Sequence, residues 1–480
     1  MLISVFLYGL RTNSEVIKRK SSYPLFQETK KEDSMDQLLL SGKHPVRLFL
    51  SYALPAVLGM FLSSFIIVVD GLFIGRFVGS RGLATTNLVV PFLYLLLGIS
   101  IMVYVGGMVP ATHNLGKGDF EEASRIFSIT FALGTVSIFL VVLTAGLFFE
   151  ELLSFLHLDG VLRSYGRDYL GILLYFYLFM TINIGFSIFL RAEGKPVLSL
   201  FFSLAGNCLN LLLDYLFIAV YGWGMRGAAL ATGIALLVPF LFGLFYFLSG
   251  RSLFRLVIPR CRGREIIMLL YNGSSEMIGQ FSVSITTFIF NAVLLRRIGV
   301  DGVAAYTVAG YIIMLQGMVL TGIIQGFAPL VGRAYGAEDI LSVKRFFRIA
   351  VSAACMVGGI SFVACAAASS LLPRLYNVDT PRFLSVASTG LLVVSFSFLL
   401  NGFNIITTAF FTALGKAGHS ALIAILRGVV VINILVLIFP RFLGDLGIWL
   451  AIPVNELLVA FAALYFLHLD NRTLVVKRST

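Results

Sequence analysis

Four carboxylates stand where carboxylates are costly. Of the 24 Asp and Glu in the 480-residue chain, only Asp70, Asp214, Glu276 and Glu456 fall well inside long apolar stretches. An ionised side chain in hydrocarbon costs about 2.5–3.5 kcal/mol even on insertion-based scales, so such groups face protein or water and mark functional sites. Burial favours the neutral carboxyl, and a nearby cation favours the ionised one. A group poised between these states can exchange a proton or a small cation, or hold the positive end of an oily guest. Asp214 has company, because Asn207, Asn210 and Asp214 follow at i, i+3 and i+7 along one helix face. One polar residue can simply pin helix packing, whereas three on a stripe read as a lined cavity. Asp70 precedes Gly71 and Gly75, where a cap or interface role competes with the chemical one.

The other polar residues divide less cleanly. Glu276 ends the run Asn272-Gly273-Ser274-Ser275-Glu276, where it either meets a cationic substrate or anchors an interface. Glu456 follows Pro453 and Asn455, so a kinked, hydrogen-bonded packing role is at least as good as a chemical one. Gln316 and Gln325 lie nine residues apart on different helix faces, and only Gln316 sits at cavity depth. Asn183 and Asn404 are further amides inside apolar stretches, and Arg191 marks a stretch's end. Other Lys and Arg are read as lying near span ends. Tyr175 and Phe288, with Phe65, Phe92, Tyr94, Tyr177 and Phe290, are the aromatic cavity candidates, suited to flat or cationic guests. With 44 Phe in the chain, most rings must pack helices or meet lipid. The four Cys have no CxxC spacing and the five His form no cluster, so no metal or redox centre is indicated. No nucleophile–base pair or phosphate-binding loop supports an enzyme.

These residues need elements to hold them, and composition says which. The chain is 58% hydrophobic and 12% charged, against roughly 25% charged in an average soluble chain. That excludes a soluble enzyme, a disordered chain and a disulfide-stapled domain. It leaves an all-α integral membrane protein. Apolar runs long enough to span a bilayer are predicted over 48–73, 86–110, 124–148, 168–190, 197–220 and 227–249. A second set covers 266–291, 303–328, 346–372, 384–410, 418–440 and 446–467. Residues 1–46 read as a cytoplasmic segment, with 1–34 a mis-assigned start upstream of Met35. The two lobes then cover 47–249 and 266–467, with a linker at 250–265 and a tail at 468–480. With an inside amino terminus, cytoplasmic segments hold 26 Lys and Arg against 10 opposite, which places both termini in the cytoplasm.

The halves repeat at an offset near 220. Gly79 to Ala84 corresponds to Gly299 to Ala304, Gly106 to Gly326, and Gly116 with Asp119 to Gly336 with Asp339. Asn183 to Phe189 and Gly194-Lys195 meet Asn404 to Phe410 and Gly415-Lys416 at 221. Gly224 and Gly227 meet Gly444 and Gly447 at 220. Six spans per half give both copies one orientation, so an axis along the membrane normal relates them and leaves a cleft between. That favours a transporter over a receptor or an anchor.

At this point the chain resembles a multidrug and toxic compound extrusion (MATE) transporter, of the multidrug/oligosaccharidyl-lipid/polysaccharide exporter superfamily. The likeness rests on Pro55, the run Val69-Asp70-Gly71-Leu72-Phe73-Ile74-Gly75, Gly82-Leu83-Ala84, Pro91 and Gly116-Lys117-Gly118-Asp119. Asn210-x-x-x-Asp214 and Ile324-Gln325-Gly326-Phe327-Ala328-Pro329 extend it, from about residue 45 to 467. The resemblance implies twelve transmembrane helices in two six-helix lobes rocking about a central cavity. It implies export of small amphiphilic or cationic organic substrates against Na+ or H+, from a prokaryotic plasma membrane. Asp70, Asn210 and Asp214 match the amino-lobe coupling site, a possible Na+ site that Asn183 and Asn207 would border. Glu276, Gln316, Asn404, Tyr175 and Phe288 are substrate-cavity candidates. No cofactor beyond the coupling ion, no nucleic acid, lipid as surroundings and a monomer are expected. Some relatives carry a glutamate deeper in the seventh span and an aspartate in the tenth; here Phe281 to Phe290 holds no carboxylate and the tenth has Ser395, Ser397, Asn401 and Asn404. The alternatives are a lipid-linked saccharide flippase, which would want several in-span cations, and a channel, for which no filter loop is evident.

Overall fold

Proline starts helices here, glycine ends them, and aspartate caps them. The computed structural model describes residues 44–258, 262–376 and 381–476; the amino-terminal segment with Met35, and Cys261, lie outside these. The amino-terminal half forms α1 (Pro45–Phe73), α2 (Ser80–Gly116), α3 (Phe120–Leu147), a short α4 (Phe149–Phe155), α5 (Val161–Ala192), α6 (Pro196–Asp214) and α7 (Gly224–Leu248). The second half forms α8 (Gly263–Arg297), α9 (Val300–Gly336), α10 (Ile340–Ala368), α11 (Pro381–Ser395), α12 (Phe398–Ala413), α13 (Ala417–Ile425), α14 (Val431–Leu443) and α15 (Asp445–Val476). A proline opens α1 and α6, where its missing N–H satisfies no helical bond anyway. Asp119 and Asp339 cap α3 and α10, accepting from the N–H of Glu122 and Ser342 at 3.0 Å, worth about 1 kcal/mol each. Gly79 and Gly299 take φ of 93° and 92° between the first two helices of each half, a conformation that side chains resist.

Among the described residues, eleven helical runs are long and apolar enough to cross a membrane, and the pair α11–α12, bent by 49°, makes up to twelve. The sequence predicts one span over 384–410, and the structure bends it between Ser395 and Phe398. The Ser395 and Ser397 hydroxyls donate to the Leu392 and Val394 carbonyls at 2.7 Å. The backbone N–H groups of Phe396 and Ser397 bond only three residues back. Side chains competing for backbone carbonyls bend a helix in this way.

α1–α7 and α8–α15 form two lobes, and their seam carries the twofold relation. Across it α1 packs on α9 and α2 on α8. A Cβ on Gly116 would strike the Arg333 carbonyl oxygen, and one on Gly336 would strike that of His113. Each pair becomes the other on shifting by 220. Likewise Gly106 lies on Leu269 and Gly273, and Gly326 on Tyr52 and Ala53. Backbones approach this closely in membranes only where side chains are absent. All these contacts fall in the half of the bundle where the chain crosses between lobes. In the other half, α1, α2, α8 and α9 carry exposed Phe65, Tyr94, Phe288 and Tyr311.

The crossover is strapped to the amino lobe rather than looped out. Arg255 and Val257 donate backbone N–H to Ser124 and Ser128 of α3 at 3.1 and 2.9 Å. Glu193, buried at the α5–α6 turn, accepts from the Ser252 hydroxyl at 2.5 Å, the Leu253 N–H at 3.1 Å and the Tyr246 hydroxyl. Burial raises the Glu193 carboxyl above the ordinary carboxylate range, while Ser252 and Tyr246 pull it down. Arg125 of α3 then bridges to Glu265 of α8 at 2.9 Å, joining the lobes.

Candidate functional site

Asp70 and Asp214 lie at the last α-helical turn of α1 and α6, before π-helical stretches at Ile74–Val78 and Tyr215–Val220. Such turns with an extra residue recur at functional sites because they free backbone groups and re-aim side chains. α1 and α6 run in parallel and in register. Asn207 donates to the Ser63 hydroxyl at 3.0 Å, and seven residues on along both helices the carboxyls of Asp70 and Asp214 face each other. Facing carboxylates repel, so a proton or a cation held between them relieves the pair. Tyr169 of α5 packs with Ile74 and Ile218, one turn past each carboxyl.

Asp214 is 1% exposed and Asn210, one turn earlier, is also buried. Among the described residues, Oδ1 of Asp70, Oδ2 of Asp214, Oδ1 of Asn183 and Nδ2 of Asn210 are buried without a partner. Buried polar atoms are ordinarily satisfied, and each orphan costs roughly 1–3 kcal/mol. The two carboxylate oxygens are donors a hard cation prefers, so the Asp70–Asp214 pair fits Na+ as well as a proton. Asn183 donates to the Leu236 carbonyl at 2.8 Å, leaving its oxygen spare.

The carboxy lobe is organised differently. A third π-helical stretch, Leu426–Val430, carries Arg427 between α13 and α14. Its Nε donates to Glu456 of α15 at 2.9 and 3.2 Å, and its Nη2 to the Asn401 oxygen of α12 at 2.6 Å. Asn401 passes its amide to Gln316 of α9 at 3.0 Å, and Gln316 reaches the Phe398 carbonyl at 3.4 Å. Asn404 donates to Glu456 twice, to its carbonyl at 2.8 Å and its carboxylate at 2.6 Å. The first repeats, one lobe over, the Asn183 bond to Leu236.

The structure therefore joins Asp70 to Asp214, aligns Asn207 and Asn210 behind them, and gathers Gln316, Asn404 and Glu456 around Arg427. Arg427 corrects the expectation that the spans hold Arg and Lys only near their ends. Its signal was present as one basic residue amid the apolar run from Ala417 to Leu443. Glu276 has no hydrogen bond or ion pair among the described residues and lies one turn beyond Gly273, where α8 meets α2. Tyr177 is buried and donates to the Leu93 carbonyl at 2.9 Å, and Phe290 stacks on Tyr306 at 4.9 Å, so both are core groups. Phe92 lines a lateral groove of about 490 Å³ with Leu140, Phe148 and Phe155. Tyr175 and Phe288 are 79% and 76% exposed on the protein surface. Arg191 is buried at its helix end, on the hydroxyls of Ser187 and Ser199 at 2.6 and 3.0 Å.

Two bundles related by a twofold axis, each with carboxyls buried inside its spans, define a two-lobed membrane transporter. The MatE family model matches residues 55–216 and 277–439, once in each half, and the chain belongs to that family. It is 25% identical over 451 residues to the multidrug export protein MepA of Staphylococcus aureus (strain bovine RF122 / ET3-1), covering 92% of this chain and 98% of MepA. A crystal structure of MATE in the bent conformation superposes with a TM-score of 0.85 at 23% identity, over 92% of this chain and 99% of that one. A MOP superfamily transporter from Pyrococcus furiosus gives 0.84 at 22%, over 91% and 98%.

Proposed function

We propose that the protein is a cation-coupled antiporter that exports amphiphilic, often cationic, organic compounds by alternating access. The observation that carries this reading is the Asp70–Asp214 pair, two carboxyls in contact inside the bilayer with an unpaired oxygen on each. Binding a proton or Na+ neutralises the pair, and releasing it restores charge. Because the pair pins α1 to α6, its ionic state bears on how those helices pack. MepA is described as a multidrug export protein, which supports drug-like cargo. The distribution of basic residues supports cytoplasmic termini, in the plasma membrane of a prokaryote. In that orientation the glycine seam closes the cytoplasmic side and the cleft opens outward. Glu276, unpaired beside the seam, is the natural contact for a cationic guest.

The test is flux of a cationic dye in proteoliposomes under a sodium gradient or a proton gradient, imposed separately. One gradient should drive transport. Asp214→Asn should insert normally and lose driven flux by about 100-fold or more, equivalent to about 2.7 kcal/mol. Gradient-driven flux at the parent rate in that variant would sink the assignment.

A further inference from the structure

We propose that Arg427 is a substrate-recognition group, and that the carboxy lobe takes a single oxyanion, a carboxylate or sulfonate, borne on an apolar body. Nothing in the transporter reading requires this; it adds a class of cargo to it. Three observations carry the inference. The guanidinium sits midway along a membrane-spanning run, in a π-helical turn that re-aims it. It is held on two edges only, by Glu456 on Nε and Asn401 on Nη2, and among the described residues Nη1 makes no hydrogen bond. Its side chain remains 29% exposed while that of Glu456 is 7% exposed, so the pair offers its basic member.

The guanidinium is anchored from within the lobe. Every group on the guanidinium comes from the lobe's interior, on α12 and α15, and Asn401 leads on to Gln316 of α9, a helix at the seam. Gly428, next in sequence, packs on Ser282 of α8, the other seam helix, and its carbonyl accepts from Thr286 at 2.9 Å. An arginine in a span faces protein or water rather than lipid, and here both seam helices lie one residue or one hydrogen bond away. A planar guanidinium with two edges fixed keeps its remaining donors oriented, which suits a carboxylate. Glu456 already offsets the charge once. The pair is therefore neutral before a guest arrives, so recognition rests on the free Nη1 donors rather than on net charge, and a diphosphate, with two or three charges, would need further cations.

The experiment measures equilibrium binding to the purified full chain in detergent, with no ion gradient. The probes are dansylglycine and its methyl ester, which share a ring system and differ in one negative charge. The acid should bind about tenfold more tightly than the ester. Glu456→Gln removes the competing carboxylate and should raise that preference further, a gain that a folding defect does not produce. Arg427→Gln combined with Glu456→Gln leaves no buried charge imbalance and should bring the ratio to about one. Equal binding of acid and ester by the parent, or an unchanged ratio in both variants, would overturn the proposal. So would displacement of dansylglycine by farnesyl diphosphate at lower concentration than by octanoate, which would point to a lipid diphosphate. The binding ratio and the gradient-driven flux can each fail while the other stands.

Discussion

In the amino lobe two carboxyls face each other across parallel helices, and among the described residues no basic side chain pairs with either. In the carboxy lobe the one in-span carboxylate at the centre, Glu456, is met by Arg427 at 2.9 Å and by Asn404. Both centres arise from one duplicated scaffold, as the matched bonds of Asn183 and Asn404 attest. A fixed internal counter-ion makes one lobe self-neutral, while the other must borrow its positive charge from solution. Duplication thus supplies two equivalent frames, and a few side chains decide which exchanges ions.

Stability should separate the lobes most sharply. Arg427→Gln leaves Glu456 buried and uncompensated, and should cost about 3–5 kcal/mol in thermal unfolding of the detergent-solubilised protein. Adding Glu456→Gln should recover most of that loss. Asp70→Asn or Asp214→Asn, which relieves two facing carboxyls, should stay within about 1 kcal/mol of the parent. Equal losses in both lobes would erase the distinction. A smaller effect concerns the coupling ion itself. Near 100 times its dissociation constant it should stabilise the parent by about 2.7 kcal/mol. The Asp214→Asn variant should lose that thermal shift, and the Arg427→Gln/Glu456→Gln variant should keep it. Smallest is the seam, where the lobes are alike. Gly106→Ala and Gly326→Ala each press a methyl group onto opposing backbone, and each should cost about 1–3 kcal/mol. A large disparity between the two would show that the twofold relation fails there.

Apolar runs and glycine spacing made most of this fold legible, because bilayer thickness and close backbone contact leave few alternatives. The bend at Ser397 escaped, since it depends on two serines turning back onto their own helix, which no apolar pattern records. The amino-lobe stripe of Asn207, Asn210 and Asp214 was readable because helical spacing is local. Its meeting with Asp70 is a tertiary fact between helices more than 120 residues apart in the chain. Arg427 was overlooked for a related reason: one basic residue barely alters an apolar run, and its weight comes from Glu456 and Asn401, which only folding brings near. For Tyr175 and Phe288 the ring chemistry was visible in the sequence, while their exposure, 79% and 76%, is set by how the helices pack.

The strapped crossover sets a leash on the machine. Val257 is tied down on α3 and α8 begins at Gly263, six peptide steps later. Fully stretched, that length reaches about 20–22 Å. Whatever excursion carries the lobes apart at this end must fit within that span, or tear the serine moorings first.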